Sequence, residues 1–278
     1  MTKVAPSTRY ELGSDLILII SVPVLLTLVH FLTPSALQHQ LALTPTDPRW
    51  YTVFTAAYVH AGVDHLSGNL FGYVLAVSYA YWLCRYADRR QWFRRTFIAL
   101  LLATPIVVNI SNILAFGTVL PEVKGYSRGF SGIVAGFGGF LLVAFVVAVC
   151  DTYGSDLAEV VGVSLILLLM LLISVVYAGR VQPLVAGLVT FGIGLQVIGA
   201  LYQRDWEMPT INVAPRALAF QFASGGLTVV VLAFLVLLLF PAALVESGTF
   251  TNIAGHGVGL LSGIVIASIV FKLSTRIS

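Results

Sequence analysis

Eight apolar runs of about 20 residues divide this chain, and each is long enough to cross the hydrocarbon layer of a bilayer as a helix. They lie at about 14–33, 65–84, 97–116, 131–150, 160–179, 184–202, 222–244 and 252–271. In a chain of 278 residues that leaves short connections and tails, so one integral membrane domain is expected over 1–278. Only 10% of the residues are charged, 58% are hydrophobic and the mean hydropathy is +0.96, whereas a soluble domain carries roughly 25% charged residues. This excludes a disordered chain, a fibrous chain and an ordinary soluble domain. A net charge of +3, with the basic residues gathered at run ends, gives no nucleic-acid surface. The expected fold class is an all-α polytopic membrane protein, seated in the cell membrane and in contact with the lipid bilayer.

Lysine and arginine set the expected orientation, because positive loops stay in the cytoplasm. With the N-terminus inside, Lys3, Arg9, Arg85, Arg89, Arg90, Arg94, Arg95, Arg204, Arg216, Lys272 and Arg276 are cytoplasmic, against Arg49, Lys124, Arg128 and Arg180 outside. Both termini are then cytoplasmic. The first run is long for a signal peptide and has no A-x-A site, so it reads as a membrane helix. Residues 34–62 form a long outer loop whose Pro34, Pro45, Pro48, Trp50 and Tyr51 suit the membrane interface, and 203–218 form a polar cytoplasmic loop. Cys84 and Cys150 show no CxxC or Cys/His spacing and read as buried thiols. No metal site and no cofactor are expected.

Histidine is the informative residue type, with five in the chain. His30 and His39 fall at the outer interface. His60 and His65 frame the outer end of the second run, and Asn69 follows His65 by four residues, so both project from one helix face. Ser131 stands in Gly129-Phe130-Ser131-Gly132 at the start of the fourth run, where first-turn amides have no helical acceptor and can hold an oxyanion. His256 stands in Ala254-Gly255-His256 at the start of the eighth run, and an imidazole in an apolar span is a candidate functional group. Gly259 and Gly263 continue below His256, as Gly132, Gly136 and Gly139 continue below Ser131. Two such small-residue stripes allow close helix approach. The second, fourth and eighth runs all cross in the same direction, so His65, Asn69, Ser131 and His256 share one depth, just under the outer surface. A nucleophile, a base and spare donors at one depth make a Ser–His dyad. Asp64 is the nearest carboxylate in the motifs, but it points away from the His65–Asn69 face.

The H-x4-H-x3-N helix, the G-x-S-G helix and the final A-G-H-x-x-G-x-x-x-G helix, in this order and after a long first loop, resemble the rhomboid family of intramembrane serine proteases. The resemblance covers most of the chain. It implies a rhomboid-like bundle of about eight transmembrane helices, a six-helix core plus two. It implies Ser131 as nucleophile, His256 as base and later acid, His65 and Asn69 lining the oxyanion hole, and His60 bonding the first loop. Gly129 would permit the turn that exposes Ser131, and Gly132, Gly259 and Gly263 the helix packing. The site would open to the outer side, and the partners would be membrane-protein substrates with a transmembrane segment. The chain departs from the family at Tyr51 and Thr52, where Trp-Arg is common, with Trp50 and Arg49 just before. It also departs at Ala135, where an aromatic residue often packs on the catalytic histidine; Phe130 and Phe137 are the candidates to replace it. Three runs rather than one separate the serine and histidine helices, and an odd number keeps both residues on one side. The competing functions are a catalytically inactive relative that binds membrane clients, and a transporter. The first usually loses the serine or the histidine, both present here. The second wants ionisable residues at mid-membrane, where this chain has only Asn109, Ser111, Asn112 and Gln196, suited to interhelical hydrogen bonds.

Overall fold

The computed structural model describes residues 9–119, 125–203, 215–241, 245–246, 249–250 and 252–275. Contacts divide the chain into two compact units, one of Met1–Phe140 with Val245–Ser278 and one of Leu141–Leu244. The first holds α1 (Arg9–Leu32), the short α2 (Ser35–Leu41) and α3 (Thr52–Thr55), α4 (Val63–Tyr86) and α5 (Arg90–Asn112). A π-helical segment, Ile113–Val119, prolongs α5. The serine-bearing α6 (Ser131–Tyr153) begins in this unit, α7 (Ser155–Ala178), α8 (Pro183–Gln203) and α9 (Pro215–Leu239) follow in the second, and α10 (Ile253–Thr275) returns to the first. The only described strands are the two-residue β1 (Val245–Glu246) and β2 (Thr249–Phe250), paired antiparallel.

Seven of these helices are long and apolar enough to cross a membrane. Apart from that short strand pair and the connecting segments the described residues are helical, and the chain is a multi-pass helical membrane protein. Eight such helices were expected, and α4 is the one that falls short. It is long enough at 24 residues, but Asn69 and a series of tyrosines dilute its apolarity. The expected loop at 203–218 lies largely outside the described residues. Large apolar side chains cover the outer faces, Leu184 being 76% and Phe191 65% exposed. Faces of this kind are stable against lipid and would aggregate in water.

Lipid is as apolar as leucine, so packing and internal hydrogen bonds must hold such helices together. In the first unit an aromatic core does the packing: Tyr73, Phe93, Phe97, Phe130, Phe137 and Phe140 are all fully buried. Tyr73 meets Phe97, Phe130 and Phe137 edge to face. The Trp92 indole N–H donates to the Ala267 carbonyl at 3.0 Å and ties α5 to α10. Two prolines inside helices leave a carbonyl one turn back without its usual amide donor. In both cases a tyrosine hydroxyl takes the place. Pro23 frees the Ile19 carbonyl, which accepts from Tyr73 Oη at 2.8 Å. Pro105 frees the Leu101 carbonyl, which accepts from Tyr58 Oη at 2.7 Å.

At the N-terminal end of α1, Asp15 is buried among cations. Arg90 grips it through Nε at 2.6 Å and Nη2 at 2.9 Å. Arg94 donates to it at 3.2 Å and the Tyr81 hydroxyl at 3.0 Å. A buried carboxylate survives because each lone-pair direction has a donor. In the second unit, glycines again set the packing: a Cβ on Gly192 would lie 3.0 Å from Leu167, and one on Gly162 would lie 3.0 Å from Val146. The Tyr153 hydroxyl donates to the Gln221 side chain. Gln196 does not form the expected bond between helices in any described contact; it lines a cavity between α7 and α8 with Asp156, Glu159 and Gln203. Cys84 is buried as expected, but Cys150 is exposed, because it lies near the end of α6 beside the exposed Asp151 and Thr152.

Candidate active site

Gly129 shapes the approach to α6. Its φ of +125° lies in the region that only glycine enters freely. A side chain there is also blocked by contact, since a Cβ would lie 2.5 Å from His65 Cε1, 2.7 Å from its Nε2 and 3.6 Å from Asn69 Nδ2. The glycine therefore brings the His65 and Asn69 side chains against the backbone two residues before Ser131. The long first loop embraces the same turn. Leu43 and Ser127 exchange backbone hydrogen bonds at 3.0 and 2.8 Å, and the Gly129 N–H donates to the Ala56 carbonyl at 2.9 Å. The Phe130 N–H donates to His60 Nε2 at 3.3 Å.

From Gly132 to Phe140 every residue of α6 is buried, and α10 packs on it backbone to backbone. A Cβ on Gly259 would overlap the Gly132 carbonyl and lie 3.2 Å from Ala135 Cβ; one on Gly263 would overlap Gly136; one on Gly139 would overlap the Leu260 carbonyl. A Cβ on Gly132 itself would lie 3.1 Å from Val108 of α5. This approach sets the distance between the two candidate side chains. Ser131 Oγ and His256 Nε2 are 2.8 Å apart, and His256 is buried, with 7% of its surface exposed. In the tautomer with Nε2 unprotonated, the hydroxyl donates to the imidazole.

Asn69 is 5% exposed, and among the described residues its Nδ2 has no acceptor. Its two amide hydrogens are therefore placed to donate, beside Gly129 and within one turn of His65. His60 is held neutral. Burial above all, then the neighbouring His65, His30 and Arg128, pushes its pKa from the ordinary imidazole value down to about 3. A neutral ring can accept from Phe130, and His60 thereby ties the end of the first loop to the turn before Ser131. Its Nδ1 and that of His30 are buried and have no partner among the described residues. His39 is exposed, with Nδ1 2.9 Å from the Ser35 carbonyl.

The replacements expected for the missing aromatic are not at His256. Phe130 packs on Tyr58 and Tyr73, and Phe137 on Tyr73 and Phe97, because both project from α6 toward the aromatic core. Ala135 itself lies against Gly259, where a ring would not fit the helix crossing. Asp64 is exposed on the first turn of α4. Trp50, beside the altered Tyr51 and Thr52, is 87% exposed, while Thr52 is buried and donates to the Arg49 carbonyl at 2.7 Å. Among the described residues, no group of three or more His, Cys, Asp or Glu side chains is placed to hold a metal ion.

Two residues outside the expected set adjoin this site. Asn252 precedes α10, and Asn112, expected only to bond between helices, accepts from it at 2.6 Å. Asn112 stands out in sequence as a polar group in an apolar run, but Asn252 lies at the edge of its run and looks like an ordinary loop residue. No family model, no curated protein and no solved structure matches this chain.

Proposed function

We propose that this protein is an intramembrane serine endopeptidase of the rhomboid type. The observation that carries the reading is the 2.8 Å contact between Ser131 Oγ and His256 Nε2, made between two helix starts in a membrane protein. The idle Asn69 amide, set against Gly129 with His65, supports it further. In this reading α1, α4, α5, α6 and α10 belong to the six-helix core, and α7 to α9 supply the sixth helix and the two extra ones. Both termini face the cytoplasm and the site opens to the outer side. The substrates are membrane proteins with a helix-destabilised stretch in a transmembrane segment.

The chemistry follows from the placement of the groups. Ser131 Oγ attacks the scissile carbonyl carbon as its proton passes to His256 Nε2. The carbonyl oxygen becomes an oxyanion, held by Asn69 Nδ2, His65 and the Ser131 amide. The C–N bond breaks and His256 returns the proton to the leaving nitrogen. A water then attacks the acyl-serine ester as His256 takes its proton; the acyl C–Oγ bond breaks, His256 returns that proton to Ser131 Oγ, and the new carboxyl terminus is released. No acidic third member is invoked.

The test is labelling of the purified protein by a fluorophosphonate, from which an activated serine displaces fluoride to form a P–O bond, and which needs no known substrate. Labelling that Ser131→Ala abolishes and His256→Ala lowers to background is the expected result. Asn69→Ala is expected to slow it by about 100-fold, the usual effect of one lost oxyanion donor. A folded wild-type protein that does not label, or that labels equally as Ser131→Ala, refutes the reading and favours an inactive client-binding relative.

A further inference from the structure

We infer that Asn252, latched by Asn112, is a positioning residue for His256. The inference rests on the reading of Ser131 and His256 as a working dyad. Asn252 is the residue before the first turn of α10, and its Oδ1 accepts from the Gly255 N–H at 2.8 Å. This is the geometry of a helix N-cap, which asparagine fills well. Its carbonyl accepts from the His256 N–H at 3.1 Å. Asn252 therefore holds the backbone of the turn that carries the imidazole. The glycine at 255 is what lets the side chain fold over the helix start, since a Cβ there would lie 2.6 Å from Asn252 Nδ2 and 2.9 Å from its Cγ.

An N-cap alone fixes a helix start only to itself. Here the cap is held from outside. Asn252 Nδ2 donates to Asn112 Oδ1 at 2.6 Å, and Asn112, 1% exposed, is at the end of α5. The Asn112 amide has two more partners, Asn109 Oδ1 at 3.2 Å and Ser127 Oγ at 3.0 Å. Asn109 in turn donates to the Val53 carbonyl of the first loop at 3.0 Å. One buried amide thus contacts a residue four before Ser131 and a residue four before His256. The nucleophile and the base are referred to the same point on α5. The glycine crossing brings α6 and α10 together lower down, and the asparagine latch holds their starts.

The latch can be separated from the cap. Serine caps helices about as well as asparagine but is too short to reach Asn112. Asn252→Ser keeps the helix start and loses the latch; Asn112→Ala loses it from the other side. Each is expected to lower the fluorophosphonate labelling rate constant at neutral pH by about 10- to 100-fold, the scale for a catalytic group displaced by about 1 Å. The double variant is expected to label no more slowly than the slower single, since both remove one contact. The pH profile separates positioning from folding. Wild-type labelling is expected to level off once His256 is neutral. The latch variants should keep rising with pH, as hydroxide takes over from a displaced base. Folded Asn252→Ser with the wild-type rate and the wild-type profile overturns the latch and leaves the dyad standing. A lower labelled fraction with an unchanged rate and profile assigns Asn252 to folding only, and also overturns it. Wild-type protein without labelling overturns the dyad and the latch together. Asn252→Ser and Asn112→Ala are read independently, so loss of fold in one leaves the other decisive.

Discussion

Replacing Gly263 by alanine tests whether the approach of α6 and α10 sets the geometry of the site. The new Cβ would overlap the Gly136 carbonyl oxygen and lie 2.7 Å from its carbon. Ordinary contact begins at 3.4 Å. Backbone atoms cannot rotate away, so the helices must part by about 0.7 Å for the carbon alone, and by more for the oxygen. The cost of such overpacking is about 1–3 kcal/mol. His256 lies two turns up the same helix. An opening of that size carried along α10 takes the 2.8 Å contact with Ser131 to the edge of hydrogen bonding, near 3.5 Å. Labelling by the fluorophosphonate should then fall by about 10- to 100-fold, with a lower thermal midpoint in detergent. Gly257→Ala is the matched control. Its Cβ would have no atom of the described residues within 4 Å, and alanine favours a helix by up to about 1 kcal/mol over glycine. It should be as stable as the wild type and label as fast. A Gly263→Ala protein that labels at the wild-type rate with an unchanged midpoint would refute the argument.

Other perturbations test the supports of the fold. Asp15→Asn removes the buried carboxylate that Arg90 and Arg94 share, leaving Arg90 only the more exposed Glu11, and should cost about 3 kcal/mol; a loss below about 1 kcal/mol in detergent unfolding would show the cluster to be solvated. His60 binds no proton in the folded state above about pH 3, while the unfolded chain takes one up below about 6.5. Its contribution to stability is therefore complete above about pH 6.5 and is lost as the pH falls toward 3, by up to about 1.4 kcal/mol per pH unit. His60→Gln should flatten that part of the stability curve, and an unchanged slope would remove His60 as its source. Tyr73→Phe leaves the Ile19 carbonyl without a donor and should cost about 1–3 kcal/mol. In a Pro23→Ala background the loss should shrink, because the substituted residue supplies the missing backbone N–H; equal losses in both backgrounds would refute the pairing.

The spans were legible because lipid demands about 20 apolar residues in a row, but apolarity marks where lipid begins rather than where the helix begins. The third run reads as 97–116, whereas α5 starts at Arg90. Its first turns carry Trp92, Phe93, Arg90 and Arg94, which meet the aromatic core and Asp15 instead of lipid. Ser131, His256, His65 and Asn69 were legible because polar groups stand out in apolar runs and motif spacing ties them together. The partners of the turn before Ser131 were not. Leu43, Ala56 and Ser127 act through backbone groups, which every residue has, so no side chain announces the contact. Asn252 escaped for a related reason: at the border of a span a polar residue is unremarkable, and only the position of Asn112 gives it a role. The aromatic expected on His256 failed because helix phase decides which way a ring points, and Phe130 and Phe137 share the Tyr73 side of α6.

The paired prolines and tyrosines carry a consequence for how such a bundle finds its alignment. Two apolar helices in lipid can slide along each other at little cost, since one leucine ridge resembles the next. A carbonyl vacated by Pro23 and a phenol at Tyr73 remove that freedom. Shifting α1 by one turn against α4 would strand both groups in hydrocarbon, and a second such vacancy at Leu101, filled by Tyr58, does the same for the first loop against α5. The vacancies act as notches and the hydroxyls as pins. The chain thus has an axial address for its first helix and its first loop before the glycine stripes close, and a proline that would weaken a helix in water specifies a register in the membrane.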